Sequence, residues 1–240
     1  IDDSCNIAFE SAGFRFLYGT NNTDIDAQIA GQTFTEDVKV QAVKDNNGVC
    51  EGLFSGNMAI KLSKQLSSSS SSGLAFEAAG QDVPTLPTYS SDITINFGAD
   101  SIGVIPSVVY YDADQVRLYA SYSDTDISLS GSSNAFWVRP ASFVLTAGNT
   151  AGTNNLDQNA GGALAHYKAG DLFYFNVTAV NTNGDTTLNY QPQNTVNMSV
   201  TRNAPISSDA AEGLFTYASS STISSSDSQQ VSLTIFSNGS

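Results

Sequence analysis

Two cysteines, one histidine and 23 carboxylates are the groups in this 240-residue chain that could carry chemistry, set against nine Lys and Arg. Cys5 and Cys50 form an even pair with no further Cys and no nearby His, which argues against zinc and for one disulfide. Closing a loop of about 45 residues is worth about 4 kcal/mol on loop-closure entropy; two buried free thiols are the alternative. A Ser-His-acid triad would need His166. That residue lies in Gly161-Gly162-Ala163-Leu164-Ala165-His166-Tyr167-Lys168, where the start of a surface strand is the simpler reading. No Gly-x-Ser-x-Gly elbow and no phosphate loop occur. Glycoside hydrolysis asks for two carboxylates roughly 5 to 10 Å apart, and no pair is singled out. The expectation is a non-enzymatic chain without catalytic residues.

Asp112 with Asp114, Asp24 with Asp26, and Asp124 with Asp126 share an Asp-x-Asp spacing. Hard cations select clustered carboxylates, so Asp112 and Asp114 are candidate calcium ligands, calcium being the one cofactor considered. The competing reading is that Asp favours turns. These pairs cannot all combine, because an extended strand from Asp114 to Asp124 spans on the order of 30 Å. Tyr111-Asp112-Ala113-Asp114 also suits the corner opening an immunoglobulin-type strand, where a Tyr hydrogen-bonds to the backbone. Trp137, Tyr110 and Tyr111, with Tyr119 and Tyr122, are candidate platforms for a glycan; packing of the core, or of an interdomain hinge by Trp137, is the alternative. A covalent Lys-to-Asn crosslink would need a proximity that sequence does not reveal.

The elements that position these residues read as strands. Val38, Val40 and Ala42 alternate with Lys39 and Gln41, and the same period of two runs through Ile93–Phe97, Val116–Ala120 and Val231–Ile235. Asn47-Gly48 and Asn183-Gly184 tolerate positive φ and suit tight turns. Ser67 to Ser72 is a run of six serines, read as a solvated loop. Hydrophobic residues at 40% are enough for a core, while charged residues make up only 13%, so hydroxyls and amides solvate the surface. The net charge of −14 would repel nucleic acid. No apolar run nears the roughly 18 residues of a membrane span, and the start at Ile1 reads as a mature or excised chain.

An internal repeat organises the chain. Ala30-Gly31, Phe34, Val38, Ala42-Val43 and Asn47-Gly48 recur as Ala169-Gly170, Phe173, Val177, Ala179-Val180 and Asn183-Gly184, with an offset that shortens from 139 to 136 residues. The expected fold is all-β, two tandem immunoglobulin-like antiparallel β-sandwiches at residues 1–138 and 139–240. Phe136-Trp137-Val138-Arg139-Pro140 is read as a short stiff linker, since Pro removes a ladder donor. Pairing of 92–101 with 230–240 makes the second copy stop early. The expectation is a fragment whose open edge accepts a strand.

Cys5, Gly13-Phe14-Arg15-Phe16, Gln28-Ile29-Ala30-Gly31, Cys50-Glu51-Gly52-Leu53-Phe54, Tyr111-Asp112 and Gly131-Ser132-Ser133-Asn134 running into Phe136 to Phe143 resemble the MshQ-like conserved-domain family. Those are large bacterial surface proteins encoded with the mannose-sensitive haemagglutinin type IV pilus system. Asp114 departs from the pattern, which tends to place Gly there. The resemblance implies an exported, modular, adhesin-like chain at the cell surface. It implies partners among its own domains or pilus components, and no catalytic residues. The expected role is a structural or interaction module; a carbohydrate- or calcium-dependent binding domain is the alternative.

Overall fold

The structure, a computed structural model, describes residues 12–46, 49–68, 73–148, 174–190, 196–200, 214–216, 222–224 and 229–233. The chain divides into two compact units, Ile1–Tyr190 and Gln191–Asn238. In the first lie β1 (Ala12–Tyr18), β2 (Gln28–Ile29), β3 (Val38–Asn46), β4 (Val49–Gly52), β5 (Gly56–Leu66), β6 (Phe76–Ala78), β7 (Gln81–Asp82) and β8 (Ile93–Phe97). They are followed by β9 (Ile102–Ile105), β10 (Val109–Tyr110), β11 (Asp114–Ser123), β12 (Ser128–Ser132), β13 (Phe136–Arg139), β14 (Ser142–Gly148) and β15 (Tyr174–Val180). The fold is all-β, with no helix among the described residues.

One strand serves both layers. The first half of β5 pairs with β8, Gly56 opposite Phe97 through Ile60 opposite Ile93. Its second half pairs with β11, Lys61 opposite Ser121 through Leu66 opposite Val116. β8, β9, β3 and β1 extend one layer, and β11, β13 and β2 extend the other, with β12 also on β11. Past Ile60 the edge that β8 leaves is taken by residues 83–90. Lys64 N donates to Pro84 O and Leu86 N to Lys64 O, each at 2.9 Å, and Ser90 N to Leu62 O at 2.8 Å. The period of two breaks here, so that Leu62, Ser63 and Lys64 are all buried. Lys64 Nζ donates to the Val83 carbonyl; its burial pulls the ammonium below its ordinary value, an effect that Asp82 opposes.

The alternating residues form the core as their spacing requires. Val38, Val40, Ala42, Ile93, Ile95, Phe97, Val116, Leu118 and Ala120 are buried, each large side chain worth about 1.5–3 kcal/mol. Phe34 packs edge-on to Phe136 of β13 at 5.6 Å and to Phe76 of β6 at 6.1 Å, joining the second layer to the small β10–β6–β7 sheet. β3 and β4 are antiparallel, with Asn46 opposite Val49; Asn47-Gly48 between them lie outside the described residues, as do Ser69 to Ser72. The repeat falls on matching strands: β15 pairs antiparallel with β14 as β3 does with β1, while Ala169-Gly170 and Phe173 lie outside the described residues.

The linker expectation is corrected. Phe136 to Arg139 is strand β13, antiparallel to β11 and parallel to β2, and Phe136 and Val138 are core residues. Alternating apolar residues before Pro140 favour a buried strand over a free connection. In the second unit β16 (Val196–Val200) pairs with β19 (Gln229–Leu233), and β17 (Leu214–Thr216) with β18 (Thr222–Ser224), both antiparallel. Val231 and Leu233 fall in β19, and Ile235 lies outside the described residues.

The two layers meet backbone to backbone where β1 passes β12. A Cβ on Gly131 would lie 1.9 Å from Phe14 O, and one on Gly13 would lie 2.9 Å from Ser130 O. Carbonyl oxygens cannot yield as a flexible side chain can. Gly131→Ala should therefore cost about 2 kcal/mol or more, read as a fall in Tm of several degrees by calorimetry, while the exposed neighbour change Ser130→Ala should leave Tm within a degree or two.

Candidate functional site

β10 is wholly buried, and the chain bends directly after it through Tyr111-Asp112-Ala113 into β11. The bend puts a carboxylate inside: Asp112 is 0% exposed. Its Oδ1 accepts from Ala113 N at 2.8 Å and from Asn189 N at 3.0 Å, and its Oδ2 accepts from Leu74 N at 3.0 Å. Those donors come from the bend itself, the approach to β6, and the segment beyond β15. No Lys or Arg among the described residues forms an ion pair with it. Burial pushes the Asp112 carboxyl above its ordinary value; the three N–H groups oppose that and Asp114 adds to it.

Two asparagines complete the arrangement. Asn189 is 2% exposed, and its Nδ2 donates to Tyr110 Oη at 3.3 Å, whereas its Oδ1 has no hydrogen-bond partner among the described residues. A Cβ on Gly73 would lie 2.3 Å from Asn189 Nδ2 and 3.2 Å from Asp112 Oδ2. Asn181 Nδ2 donates to Tyr111 O at 3.0 Å, while its Oδ1 accepts from Asn183 N and Asp185 N. The same segment reaches β2's exit, Thr182 N donating to Ala30 O at 3.0 Å. Gly31 there has φ +79°, and a Cβ on it would meet Thr182 Oγ1 at 2.5 Å, so conformation and space both demand glycine. Chemically this is a clasp: an acceptor-only carboxylate gathers N–H donors from segments far apart in sequence. Each charge-assisted bond is worth about 1.5–3 kcal/mol.

Asp114 is also turned to chain donors, accepting from Gln115 N at 2.7 Å and from Ser68 N and Oγ. Among the described residues no group of three His, Cys, Asp or Glu side chains is placed to hold a metal ion. Asp124 caps the β11–β12 turn, accepting from Asp126 N, Ile127 N and Tyr122 Oη, and the Tyr122 hydroxyl foremost holds it below its ordinary value. Asp24 and Asp26 are exposed on either side of buried Ile25. Tyr110 is corrected as a glycan platform: it is fully buried and tilted against Phe76 at 5.4 Å. Tyr111 is half-buried, and its part in the clasp is its carbonyl. Trp137 does not pack a hinge; it is 43% exposed on the outer face of β13. His166 and Cys5 lie outside the described residues. Cys50 sits in β4 opposite Asp45, and no described cysteine is free.

The family described as Domain of unknown function (DUF6701), first Ig-like domain, matches residues 2–133, and its second domain matches residues 139–232. The chain belongs to the DUF6701 family. No curated protein and no solved structure matches it. Asp112 and Gly31 fall in the first DUF6701 match, and Asn181 and Asn189 in the second, so the clasp ties residues of one family domain to residues of the next. The asparagines carried little signal. Asn181 precedes the Asn183-Gly184 turn by two residues, and nothing near Asn189 marks it as a buried donor.

Asp112→Ala should cost about 3 kcal/mol or more, since it leaves buried N–H groups unsatisfied. The pH dependence has a definite sign. Because the folded carboxyl titrates above its ordinary value of 3.8, the proton-linked part of its contribution is complete below that value and is lost as pH rises through the raised folded pKa, while the N–H bonds to the carboxylate remain. Thermal melts from pH 3 upward should show this relative loss in the native chain and not in Asp112→Asn.

Proposed function

We propose that this chain is a non-enzymatic display module: tandem β-domains of a bacterial surface protein that hold more distal domains away from the cell. The Asp112 clasp carries this reading. A stalk transmits position only if its parts are rigid, and here a buried carboxylate, Asn181 and Asn189 fasten a segment matched by the second family domain into the first compact unit through hydrogen bonds. The sparse charge and abundant Ser, Thr, Asn and Gly fit an extracellular surface. Under this reading Cys5 and Cys50 form a disulfide outside the cell, which staples the N-terminal segment to the β3–β4 hairpin.

The finer proposal, which rests on the MshQ-like resemblance, is association with the mannose-sensitive haemagglutinin type IV pilus. The partners would be other domains of the same surface protein or pilus components, with strand addition at an edge of the second domain as one mode of contact. No helix among the described residues is long and apolar enough to cross a membrane.

Display predicts interchangeability. Replacing residues 1–240 within the full-length surface protein by an unrelated rigid pair of β-sandwiches of similar span should preserve adhesion of intact cells, whereas replacement by a flexible Gly-Ser linker should reduce it. Failure of the rigid replacement, with surface exposure confirmed by biotinylation, would contradict the display reading.

A further inference from the structure

The layer built on β5, β11 and β13 has an outward face that the clasp does not use. Alternation puts Gln65, Gln115, Arg117, Tyr119, Trp137 and Arg139 on it, opposite the core. Gln115 stands directly across from Trp137, and Arg117 across from Gln65, so each pair of side chains starts about 5 Å apart. Arg139 and Arg117 lie two residues along their strands from the Trp137–Gln115 pair, on opposite sides of it, each about 7 Å away. Tyr119 Oη donates to Gln65 Oε1 at 2.8 Å, which holds that amide in place.

Charge distinguishes this face. The chain carries a net −14, yet the outward positions of β11 and β13 and of β5 beyond Lys61 hold no Asp or Glu. Asp114, the one acid on these strands, is turned inward and buried. Arg117 is exposed, and among the described residues the Arg139 side chain bonds only the Pro140 carbonyl, at 3.5 Å. The ion pairs of the described residues, Lys44–Glu51 and Lys61–Asp92, involve neither arginine.

We propose that this face binds an acidic oligosaccharide. The exposed indole offers a flat π surface to the C–H face of a sugar ring. The guanidinium groups of Arg117 and Arg139 match carboxylate or sulfate groups in bidentate fashion, and the amides of Gln115 and Gln65 match hydroxyls. A protein partner would be served by a contiguous apolar centre, and here the aromatic side chains are Trp137 and a half-buried Tyr119 whose hydroxyl bonds Gln65, set among amides and guanidiniums. A nucleic acid carries a charge on every nucleotide and runs past this face, so it meets the repulsion of the whole chain, whereas a short oligosaccharide with one or two acid groups sits within the local field of the two arginines. A display module can carry such a face or lack it, and Trp137→Ala in the full-length protein removes the face while keeping the spacer, so the failure of this inference and that of the display reading are told apart.

Trp137 is the chain's single tryptophan, so its fluorescence reports on this face alone. The chain would be screened on an array of uronate-, sialate- and sulfate-bearing glycans with their neutral counterparts, and any retained glycan titrated by tryptophan fluorescence beside polyglutamate of matched charge. The expected result is retention of acidic glycans over neutral ones with a fluorescence change, and weaker binding at high salt. Trp137→Ala, followed by calorimetry of binding, and Arg117→Ala should each weaken it on the order of tenfold with unchanged Tm, both side chains being exposed. Retention of no acidic glycan, binding indifferent to these substitutions, or equal response to polyglutamate would overturn the proposal.

Discussion

A buried carboxylate without a cation beside it must be answered by hydrogen-bond donors, and Asp112 is answered by three segments of the chain. That requirement sets much of what surrounds it. Leu74 can donate only if the chain before β6 passes close by, which Gly73 permits; Asn189 can donate only if the segment after β15 returns to the end of β10. Losing any one donor leaves charge in a low-dielectric interior with less to offset it. The bonds therefore form together, and the segment carrying Asn181 and Asn189 behaves as part of the first unit despite falling in the match to the second DUF6701 domain.

β5 imposes the other large constraint. A strand shared between layers must turn its edge from one partner to another, and the exchange from β8 to β11 leaves donors and acceptors that residues 83–90 satisfy. Burial of Ser63 and Lys64 follows from that change of partner rather than from their polarity. The glycine contact between β1 and β12 closes the opposite side, where backbone meets backbone.

Much of this was legible in sequence because period-2 alternation is a direct consequence of strand geometry: Val38, Ile95 and Leu118 point inward as their spacing demands. What alternation cannot convey is which segments meet. Phe136 to Pro140 carried the same alternation, but the proline suggested a linker where β13 in fact pairs on both sides. Tyr110 was an aromatic like any other until the fold buried it against Phe76, while Trp137, with the same chemistry, was left outside. Asp112 drew notice as half of an Asp-x-Asp pair. Its actual surroundings depend on Asn189, 77 residues away, a separation no local pattern encodes.

The claim on which the rest depends is that Asp112 fastens the Asn181–Asn189 segment to the first unit as one cooperative body. Hydrogen exchange of the native chain, read at the amides of Leu74, Ala113 and Asn189, tests it most directly. The account predicts that these amides are protected to a similar degree and lose protection together in Asp112→Ala. An Asn189 amide that exchanges rapidly while Leu74 stays protected would show that the segment detaches on its own, and would contradict the account.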